Sequence, residues 1–331
     1  MPELRRAGII GLGTYVPERV LTNHDLEKLV DTSDEWIRER TGIRQRHIAA
    51  PYEATSDLGV RASERALADA GVDASELDLI IVATATPDTI FPATACLLQD
   101  RLGAARAGAF DLAAGCSGFI YALSVANQFV STGVYDRVLV VGAETLSRIT
   151  NWKDRTTCVL FGDGAGAAVV GPVEKGGILA TRLGADGSGG ALLDLKAGGS
   201  RTPTSAETVA RGLHYLQMNG REVFKFAVRV IPEVTSEVLA LAGLREEDID
   251  LMIPHQANVR IIDAAAKRLQ LSSDKILVNV DRYGNTSAAS IPLALEEAVL
   301  TGRVKKGDRI VLVAFGAGLT WAAAVLEWNG K

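Results

Sequence analysis

An internal repeat is the feature of this sequence that most strongly limits how the chain can fold. The segment LADAGVDASELDLIIVA (67–83) has a counterpart in LALAGLREEDIDLMIPH (239–255), so that position 67 aligns with position 239. The same offset aligns DRVLVVGA with DRIVLVAF, and it places an Ala-Leu pair at both 122 and 294. Three separate segments that agree on one offset, near half the chain length, indicate an internal duplication.

The duplication predicts two structural units of similar design. The chain has 331 residues, which exceeds the roughly 250–300 residues at which a single hydrophobic core stops growing. We therefore expect an N-terminal half over residues 1–173 and a C-terminal half over residues 174–331. Two unrelated αβ units that use similar residues are the alternative interpretation.

Each half shows the same succession of predicted elements. A helix with Ala and Leu at three- and four-residue spacing ends at a glycine, Gly71 or Gly243, which is a common helix stop. A polar turn and a continuous apolar run follow, Leu79–Ala83 in the first half and Leu251–Ile253 in the second. Runs without alternation are typical of strands covered on both faces. The pattern predicts an α/β protein whose largely parallel sheets lie between layers of helices.

Composition and charge exclude several classes of function. The 35 Lys and Arg residues against 40 Asp and Glu give a net charge of −5, whereas nucleic-acid binders carry a basic excess. No apolar run approaches the roughly 18 residues of a membrane helix, and the first apolar stretch suits a strand better than a signal peptide. Three cysteines without Cys-x-x-Cys spacing favour a reducing compartment. We therefore expect a cytoplasmic protein with no membrane, nucleic-acid or metal partner.

Neither Gly-rich stretch of the first half fits a standard nucleotide-binding loop. In GLGTYVP, Val16 stands where a dinucleotide site needs a third glycine, and Pro17 interrupts the helix that should follow. FGDGAGAAVV (161–170) fits a tight turn that enters a strand, and no G-x-x-x-x-G-K-[ST] motif occurs. The hypothesis of a nicotinamide-dependent oxidoreductase therefore rests only on the Gly11-x-Gly13 pair.

Cys116 is the strongest candidate nucleophile. It stands in DLAAGCSGFIYAL, where an apolar, strand-like lead ends and an amphipathic helix begins. Unpaired backbone N–H groups and the positive end of the helix dipole favour a thiolate at such a position. The alternative is a small buried cysteine that fills space, an interpretation that suits Cys96 and Cys158 in their helix-like and strand-like settings.

His255 and Asn285 are predicted to lie near Cys116. His255 follows a predicted buried strand, and side chains at the carboxyl ends of parallel strands line ligand crevices. Asn285 lies in a Gly-Asn-Thr-Ser turn before a helix, which the repeat places where Cys116 lies in the first half. A surface histidine and an ordinary turn or cap asparagine are the alternatives. The backbone of AFGAG (314–318), at another strand end, can supply oxyanion donors.

Three motifs in one order, GCSGF, PHQAN and GNTSAAS, resemble the β-ketoacyl-acyl-carrier-protein synthase III family of thiolase-like condensing enzymes. The similarity extends along essentially the whole chain and includes DTSDEWIRERTGI (31–43), FGDGAGA (161–167) and AFGAGLTW (314–321). The resemblance implies a thiolase-like layered αβαβα fold built from two duplicated halves. It also implies a homodimer whose substrates are acyl-CoA and malonyl-acyl carrier protein, with no cofactor.

The resemblance implies a decarboxylative Claisen condensation that initiates fatty acid biosynthesis. Cys116 would take the acyl group of acetyl-CoA or a short branched acyl-CoA, and malonyl-acyl carrier protein would lose CO2 and attack the thioester. His255 and Asn285 would donate hydrogen bonds to the thioester oxygen of the malonyl group. The backbone N–H groups of Cys116 and Gly316 would form the oxyanion hole for acyl transfer.

Further positions match substrate contacts of that family. Phe91 matches a residue that reaches across the dimer to close the acyl pocket, and its large ring suggests short primers. Thr156 stands where some relatives have Gly, beside the adenine site. For Lys267 and Arg268, the two distal basic residues of a predicted helix, a solvated helix face is the alternative interpretation. The matching positions are Trp36 and Arg155 for the CoA adenine, Arg40 for a CoA phosphate, Asn258 and Gly220 for the pantetheine arm, Phe224 for the tunnel, and Arg260, Lys267 and Arg268 for the acidic carrier protein.

Residue types separate the related families. Thiolases need a second catalytic cysteine in the C-terminal Gly-rich loop, which AFGAG lacks, and elongating enzymes carry a second His where this chain has Asn285. HMG-CoA synthases need a glutamate base, for which the sequence shows no placed candidate. A condensing enzyme or acyltransferase of secondary metabolism shares the Cys-His-Asn set and is the main alternative. A catalytically silent partner subunit is a further alternative, against which the intact set argues.

Overall fold

Two β-sheets, one from each half of the sequence, form the centre of the computed structural model, which describes residues 4–330. The strands are β1 Ala7–Tyr15, β2 Val20–Thr22, β3 Gln45–His47, β4 Leu79–Ala83, β5 Gly108–Leu112, β6 Val138–Thr145, β7 Asp163–Pro172, β8 Gly177–Ala185, β9 Leu193–Asp194, β10 Gln217–Met218, β11 Leu251–Pro254, β12 Arg309–Gly316 and β13 Thr320–Glu327. The helices are α1 Asn23–Leu26, α2 Asp34–Thr41, α3 Thr55–Ala70, α4 Thr94–Leu102, α5 Gly118–Ser131, α6 Ala206–Ala210, α7 Gly220–Leu241, α8 Val259–Arg268, α9 Val280–Tyr283 and α10 Ser290–Leu300.

The strand order of the second sheet repeats that of the first. The first sheet has the order β1-β7-β6-β4-β5, and the second, β8-β13-β12-β11, matches its first four strands one by one. At the offset that aligns position 67 with position 239, β5 corresponds to the short helix α9, so the second sheet has four strands. Shared strand order and shared offset identify the halves as two copies of one design.

Both sheets are mixed rather than largely parallel. β4 pairs in parallel with β5 and β6, and β11 with β12. In contrast, β7 and β13 run antiparallel to both of their neighbours. The prediction of largely parallel sheets is therefore wrong for these strands. The turn between β12 and β13 is too short for the helical crossover that a parallel pair requires.

Helices fill the space between the sheets and cover their outer faces. Buried side chains of α5 and α10, among them Phe119, Leu123 and Ile291, share one core with strands of both sheets. Helices α3 and α4 pack on the outer face of the first sheet, and α7 and α8 on that of the second. These five layers confirm the predicted αβαβα architecture. They also explain the continuous apolar runs, since β4 and β6 are buried along their whole length.

All three cysteines are free, and their burial differs from the expectation in one case. Cys116 and Cys158 are buried, whereas Cys96 is exposed on α4. The prediction that Cys96 fills space in a core is therefore wrong. The inward face of α4 is formed instead by its neighbours Ala95 and Leu98.

Helix α7 packs through one apolar face. In α7, of 22 residues, the buried Val223, Phe226 and Val230 lie on the second sheet, and charged side chains occupy the other face.

Across residues 4–330, no helix combines the length and the apolar composition that a membrane span requires.

Candidate active site

Loops from both halves meet at one internal cavity of about 130 Å³. Cys116 lies in the 3-10 turn that leads into α5, and Asn285 lies just before the equivalent turn that leads into α10. His255 directly follows β11, and Gly316 ends β12. All four residues line the cavity, so the structure brings together the three side chains that the sequence singled out.

Gly316 allows two backbone segments to touch at the candidate nucleophile. A Cβ atom at this position would lie 2.5 Å from the backbone nitrogen of Cys116, closer than real Cβ contacts. Gly115, whose φ of +52° lies in the left-handed region, packs in a similar way on Ala317. The end of β12 therefore lies directly on the turn of Cys116, where the resemblance places the oxyanion hole.

His255 is held as a neutral imidazole. Its backbone N–H donates to the carbonyl of Val313 at 2.8 Å, and its ring packs edge-on against Phe315. Burial lowers the pKa of His255 to about 3, so the ring is uncharged near neutral pH. Nδ1 lies 2.6 Å from the hydroxyl of Ser290. With that hydroxyl as the donor to Nδ1, the single ring proton is on Nε2 and can be donated to a ligand.

The amide of Asn285 has a defined orientation. Its Oδ1 accepts the backbone N–H of Ser287 at 2.9 Å, which leaves the Nδ2 group as the free donor. The backbone of Asn285 pairs with the first half, since its N–H donates to Leu160 at 2.8 Å and its carbonyl accepts from Gly162 at 3.0 Å. The turn of the second half is therefore fixed by contacts with the first half.

Burial of the sulfur affects the protonation of Cys116. Burial raises the pKa of the Cys116 thiol to about 12, although a hydrogen bond with Ser287 acts in the opposite direction. The charge of Glu144 raises it further. Desolvation of the buried sulfur therefore opposes the thiolate that the position at a helix start is predicted to favour.

Three polar residues of this site were missed by the sequence reasoning. Ser290 contacts His255, Ser287 lies in the turn that packs against the turn of Cys116, and Glu144 is fully buried on the strand next to that turn. Ser287 and Ser290 are part of the GNTSAAS motif, which was interpreted through Asn285 alone. Glu144 lies at the end of β6, and the repeat aligns it with Gly316 at the end of β12. The repeat therefore indicated the end of β6, which carries Glu144, as well as the end of β12.

Family models and known proteins agree on one assignment. Two models of the 3-oxoacyl-[acyl-carrier-protein (ACP)] synthase III family match the chain, one over residues 110–187 and a C-terminal one over residues 239–328. The β-ketoacyl-[acyl-carrier-protein] synthase III of Caldanaerobacter subterraneus subsp. tengcongensis is 63% identical over 330 residues, which cover 99% of this chain and 100% of that protein. The chain belongs to the 3-oxoacyl-[acyl-carrier-protein] synthase III family.

Solved structures related to this synthase III family member share its fold. The β-ketoacyl-[acyl carrier protein] synthase III of Thermus thermophilus has a TM-score of 0.91 and 55% identity, over 98% of this chain and 100% of that one. The priming β-ketosynthase of the R1128 polyketide biosynthetic pathway has a TM-score of 0.92 and 40% identity, over 99% of this chain and 98% of that one. The protein is thus an acyltransferase-type condensing enzyme, which removes the nicotinamide oxidoreductase hypothesis.

In this synthase, the positions that resemblance assigned to CoA form one surface beside the cavity. The guanidinium carbon of Arg155 lies 4.7 Å from the centroid of the Trp36 ring. Asn258 lines the cavity, and its Nδ2 donates to the carbonyl of Arg40 at 3.0 Å. Trp36 and Arg40 both lie on α2, so Asn258 connects the cavity with the Trp36–Arg155 pair. Thr156 is exposed next to this pair.

The start of α7 and the length of α8 hold most of the remaining assigned positions. Gly220 and Phe224 line the cavity. The guanidinium carbon of Arg260 lies 5.8 Å from the Phe224 ring centroid, so it is close to the cavity wall. Lys267 and Arg268 are exposed at the far end of α8, where Arg268 donates to a carbonyl of α7.

Phe91 is placed differently from the other assigned residues of this synthase. Its side chain is 84% exposed, and it does not line the cavity of its own chain. It lies in the loop before α4, beside the edge strand β5. Phe91 is therefore not placed to contact an acyl group in the cavity of its own chain.

Proposed function

We propose that this synthase transfers a short acyl group from acyl-CoA to Cys116 and then condenses it with malonyl-acyl carrier protein, which initiates fatty acid biosynthesis. The observation that carries this proposal is the convergence of Cys116, His255 and Asn285 on one cavity. A nucleophile and two fixed hydrogen-bond donors are the groups that the two half-reactions require.

In the first half-reaction, Cys116 loses its proton and its sulfur attacks the thioester carbon of acyl-CoA. A bond between sulfur and the acyl carbon forms, the bond between that carbon and the CoA sulfur breaks, and CoA leaves to take up a proton. After the first bond has formed and before the second breaks, the acyl oxygen carries a negative charge. The adjoining backbones of Cys116 and Gly316 support an oxyanion hole at this oxygen.

In the second half-reaction, His255 and Asn285 donate from Nε2 and Nδ2 to the thioester oxygen of the malonyl group. Both donors are buried and fixed by their other hydrogen bonds. As CO2 leaves, they stabilise the enolate, and one such donor is typically worth about 3–4 kcal/mol. The enolate carbon then bonds to the acyl carbon, and the Cys116 sulfur leaves as a thiolate.

The substrates and the location of the reaction follow from the same proposal. Side chains and backbone groups carry both half-reactions, with acyl-CoA and malonyl-acyl carrier protein as substrates and no resident cofactor. The basic residues Arg260, Lys267 and Arg268 on α8 support docking of the acidic carrier protein near the cavity. Free cysteines and these substrates favour the cytoplasm.

A direct experiment tests the acyl transfer. The purified protein is incubated with acetyl-CoA, digested, and mapped by mass spectrometry. The expected result is an acetyl group on the peptide that contains Cys116 and on neither of the other cysteine peptides. Absence of this adduct with intact acetyl-CoA present would overturn the proposed function.

The Trp36–Arg155 pair gives a prediction for CoA binding. Replacement of Trp36 by alanine is expected to raise the KM for acetyl-CoA about tenfold, because it removes an aromatic face and its cation–π contact. The kcat is expected to change little, since the pair lies away from Cys116. Trp36→Phe, which retains a ring, is the matched control and should retain most of the affinity. Initial-rate kinetics with varied acetyl-CoA would measure both, and an unchanged KM in Trp36→Ala would contradict the role.

The exposed edge of the first sheet supports a homodimer. β5 is an edge strand, and near it Ile90 and Phe91 are 78% and 84% exposed and Phe110 is partly exposed. Exposed apolar side chains beside an open strand edge are typical of a protein interface. A groove of about 530 Å³, lined in part by Thr86 and Leu193, lies beside the active site and can receive the Phe91 loop of a second subunit.

The proposed dimer predicts that a charge at position 91 weakens the association of the two subunits. Wild-type protein is expected to sediment at twice the mass of one chain, and Phe91→Asp is expected to shift it toward the monomer and lower its activity. Leu300→Asp is the matched control, because Leu300 is similarly exposed but lies at the end of α10. A Phe91→Asp protein that remains dimeric at micromolar concentration would contradict this interface.

The polyketide priming ketosynthase supports a second candidate function, condensation in secondary metabolism. It shares 40% identity with this chain, compared with 63% for the Caldanaerobacter synthase. A panel of acyl-CoA primers, assayed with malonyl-acyl carrier protein and with other acceptors, distinguishes the two functions. Faster turnover with non-malonyl acceptors would favour the second.

A further inference from the structure

Gln256 of the PHQAN motif is a buried amide, 1% exposed, whose hydrogen-bonding positions are all used. Its Nε2 donates to the carbonyl of Pro254 at 2.8 Å and to that of Leu277 at 3.1 Å. Its Oε1 accepts the backbone N–H of Asn279 at 2.9 Å and that of Val280 at 3.1 Å. Two carbonyl acceptors and two N–H donors allow only one orientation of this amide.

These bonds attach the segment that leads to Asn285 to the end of β11. Val280 begins α9, and the side chain before it makes no capping hydrogen bond. The amide of Gln256 supplies this cap from another part of the chain. Helix α9 ends at Tyr283, two residues before Asn285. Because His255 directly follows β11, Gln256 holds the segments of both donors at a fixed separation.

Ser290 forms a connection in the opposite direction. It begins α10, which follows Asn285, and it is 2% exposed. Its hydroxyl lies 2.6 Å from Nδ1 of His255 and accepts the backbone N–H of Gln256 at 3.5 Å. Each of the two segments that carry a donor therefore supplies a side chain that holds the other segment.

The hydrogen bonds of Ser290 determine which ring nitrogen of His255 carries the proton. Among residues 4–330, the Ser290 hydroxyl has no hydrogen-bond acceptor other than Nδ1. If Nδ1 carried the ring proton, this buried hydroxyl would donate to no group, which is unfavourable. The hydroxyl therefore donates to Nδ1, and the ring proton lies on Nε2.

The position of this proton matters because the ring is neutral. Burial lowers the pKa of His255 to about 3, so the ring carries a single proton near neutral pH. An Nε2 with the proton donates to a thioester oxygen, whereas an Nε2 without it is an acceptor and repels that oxygen.

We propose that Gln256 and Ser290 are positioning residues of the condensation half-reaction, which hold His255 and Asn285 as a pair of donors with the ring proton on Nε2. Neither positioning residue lines the cavity, so each acts through a donor and not on the substrate. Acylation uses the nucleophile and its backbone oxyanion hole instead. The two residues should therefore contribute to decarboxylation of the malonyl group and little to acylation.

This inference rests on the proposed function, and its first experiment measures both half-reactions in Ser290→Ala. Decarboxylation of malonyl-acyl carrier protein should be about tenfold slower, because the proton of His255 is no longer restricted to Nε2. Acylation of Cys116 by acetyl-CoA should stay within about threefold. Ser63→Ala is the matched control, since Ser63 is a buried serine of α3 whose hydroxyl donates within its own helix. It should leave both rates unchanged.

The ring proton of His255 can also be observed directly. The chain contains four histidines, so protein with ¹⁵N-labelled histidine gives few ring signals. The ¹⁵N chemical shifts distinguish a protonated ring nitrogen from an unprotonated one, and His255→Ala assigns the signals. The wild type should carry the proton on Nε2 alone, and Ser290→Ala should carry it on both nitrogens in exchange. A wild-type proton on Nδ1 would overturn the role of Ser290.

Gln256→Met tests the other connection. Methionine has a similar length and volume but makes none of the four hydrogen bonds of the amide. Decarboxylation should be about 100-fold slower, close to the loss of one oxyanion donor, and acylation should stay within about threefold. The rates are compared below the unfolding temperature of the variant. If this variant does not fold, Gln256→Glu, which keeps both contacts of Oε1, is assayed in the same way.

Double variants show through which donor each positioning residue acts. In a His255→Ala background, Ser290→Ala should slow decarboxylation by less than about threefold further, because its partner is already absent. Gln256→Met should behave in the same way in an Asn285→Ala background. A full, independent loss in either background would contradict the proposed connection.

The outcomes separate this inference from the proposed function. A wild type without an acetyl adduct on Cys116 would overturn the proposed function, and the ring-proton measurement would still decide the role of Ser290. If the wild type is acylated, wild-type decarboxylation in a variant of Gln256 or Ser290 would overturn the role of that residue. Equal losses of acylation and decarboxylation would also overturn it, because they would indicate general damage to the fold.

Discussion

Replacement of Cys116 by serine is expected to abolish transfer of the acetyl group from acetyl-CoA to the protein, a loss of about 10⁴-fold or more in rate. The thiol has a pKa of about 12 in this buried site, and a serine hydroxyl is a far weaker acid. The ionised, nucleophilic fraction of the serine hydroxyl near neutral pH is therefore far smaller than that of the thiol. Serine is nearly isosteric with cysteine, so the close packing of this turn on Gly316 is preserved. Mass spectrometry of the labelled peptide and release of free CoA measure the loss.

The exposed Cys96 provides the control for the Cys116 variant. Cys96→Ser changes the same atom at a surface position of α4 and should retain both acylation and stability. Thermal unfolding of both variants would show that the fold is intact. Acetylation of Cys116→Ser at the wild-type rate, or an adduct on another cysteine, would contradict the assignment of the nucleophile.

Much of the fold was predictable because it repeats. The single offset that relates the two halves of the sequence reappears as matched strand order in the two sheets. Continuous apolar runs correctly indicated strands with helices on both faces. Strand direction was not predictable in the same way, since β7 and β13 are buried like parallel strands but pair antiparallel. Burial sets the residue types of a strand, and connection geometry sets its direction.

The three main side chains of the site were predictable because each one lies in its own short motif. Cys116, His255 and Asn285 each follow a strand or precede a helix, and the topology brings them together. The burial of the Cys116 sulfur was not predictable, because the layers that surround it are absent from a local sequence pattern. Glu144 was missed for a related reason. Its partners Ala85 and Thr86 lie almost sixty residues earlier in the chain, and only the fold brings them to it.

Replacement of Asn285 by alanine is expected to slow decarboxylation of malonyl-acyl carrier protein about 100- to 1,000-fold, the usual effect of removing one oxyanion donor. Acylation of Cys116 should stay within about threefold, because the acyl oxygen is held by backbone groups of Cys116 and Gly316 and not by this amide. Release of CO2 and formation of the acetyl adduct, measured on the same preparation, give the two rates. Equal losses in both would contradict the assigned role.

Asn285→Asp separates the missing donor from a displaced turn. An aspartate can still accept the backbone N–H of Ser287 through one oxygen, so the turn against Leu160 and Gly162 should keep its position. The second oxygen, however, replaces the Nδ2 donor with an acceptor that carries negative charge next to the developing enolate. Decarboxylation should therefore be slower in Asn285→Asp than in Asn285→Ala. If the aspartate variant retained more decarboxylation than the alanine variant, the contribution of Asn285 would be its contact with the turn rather than a hydrogen bond to the substrate.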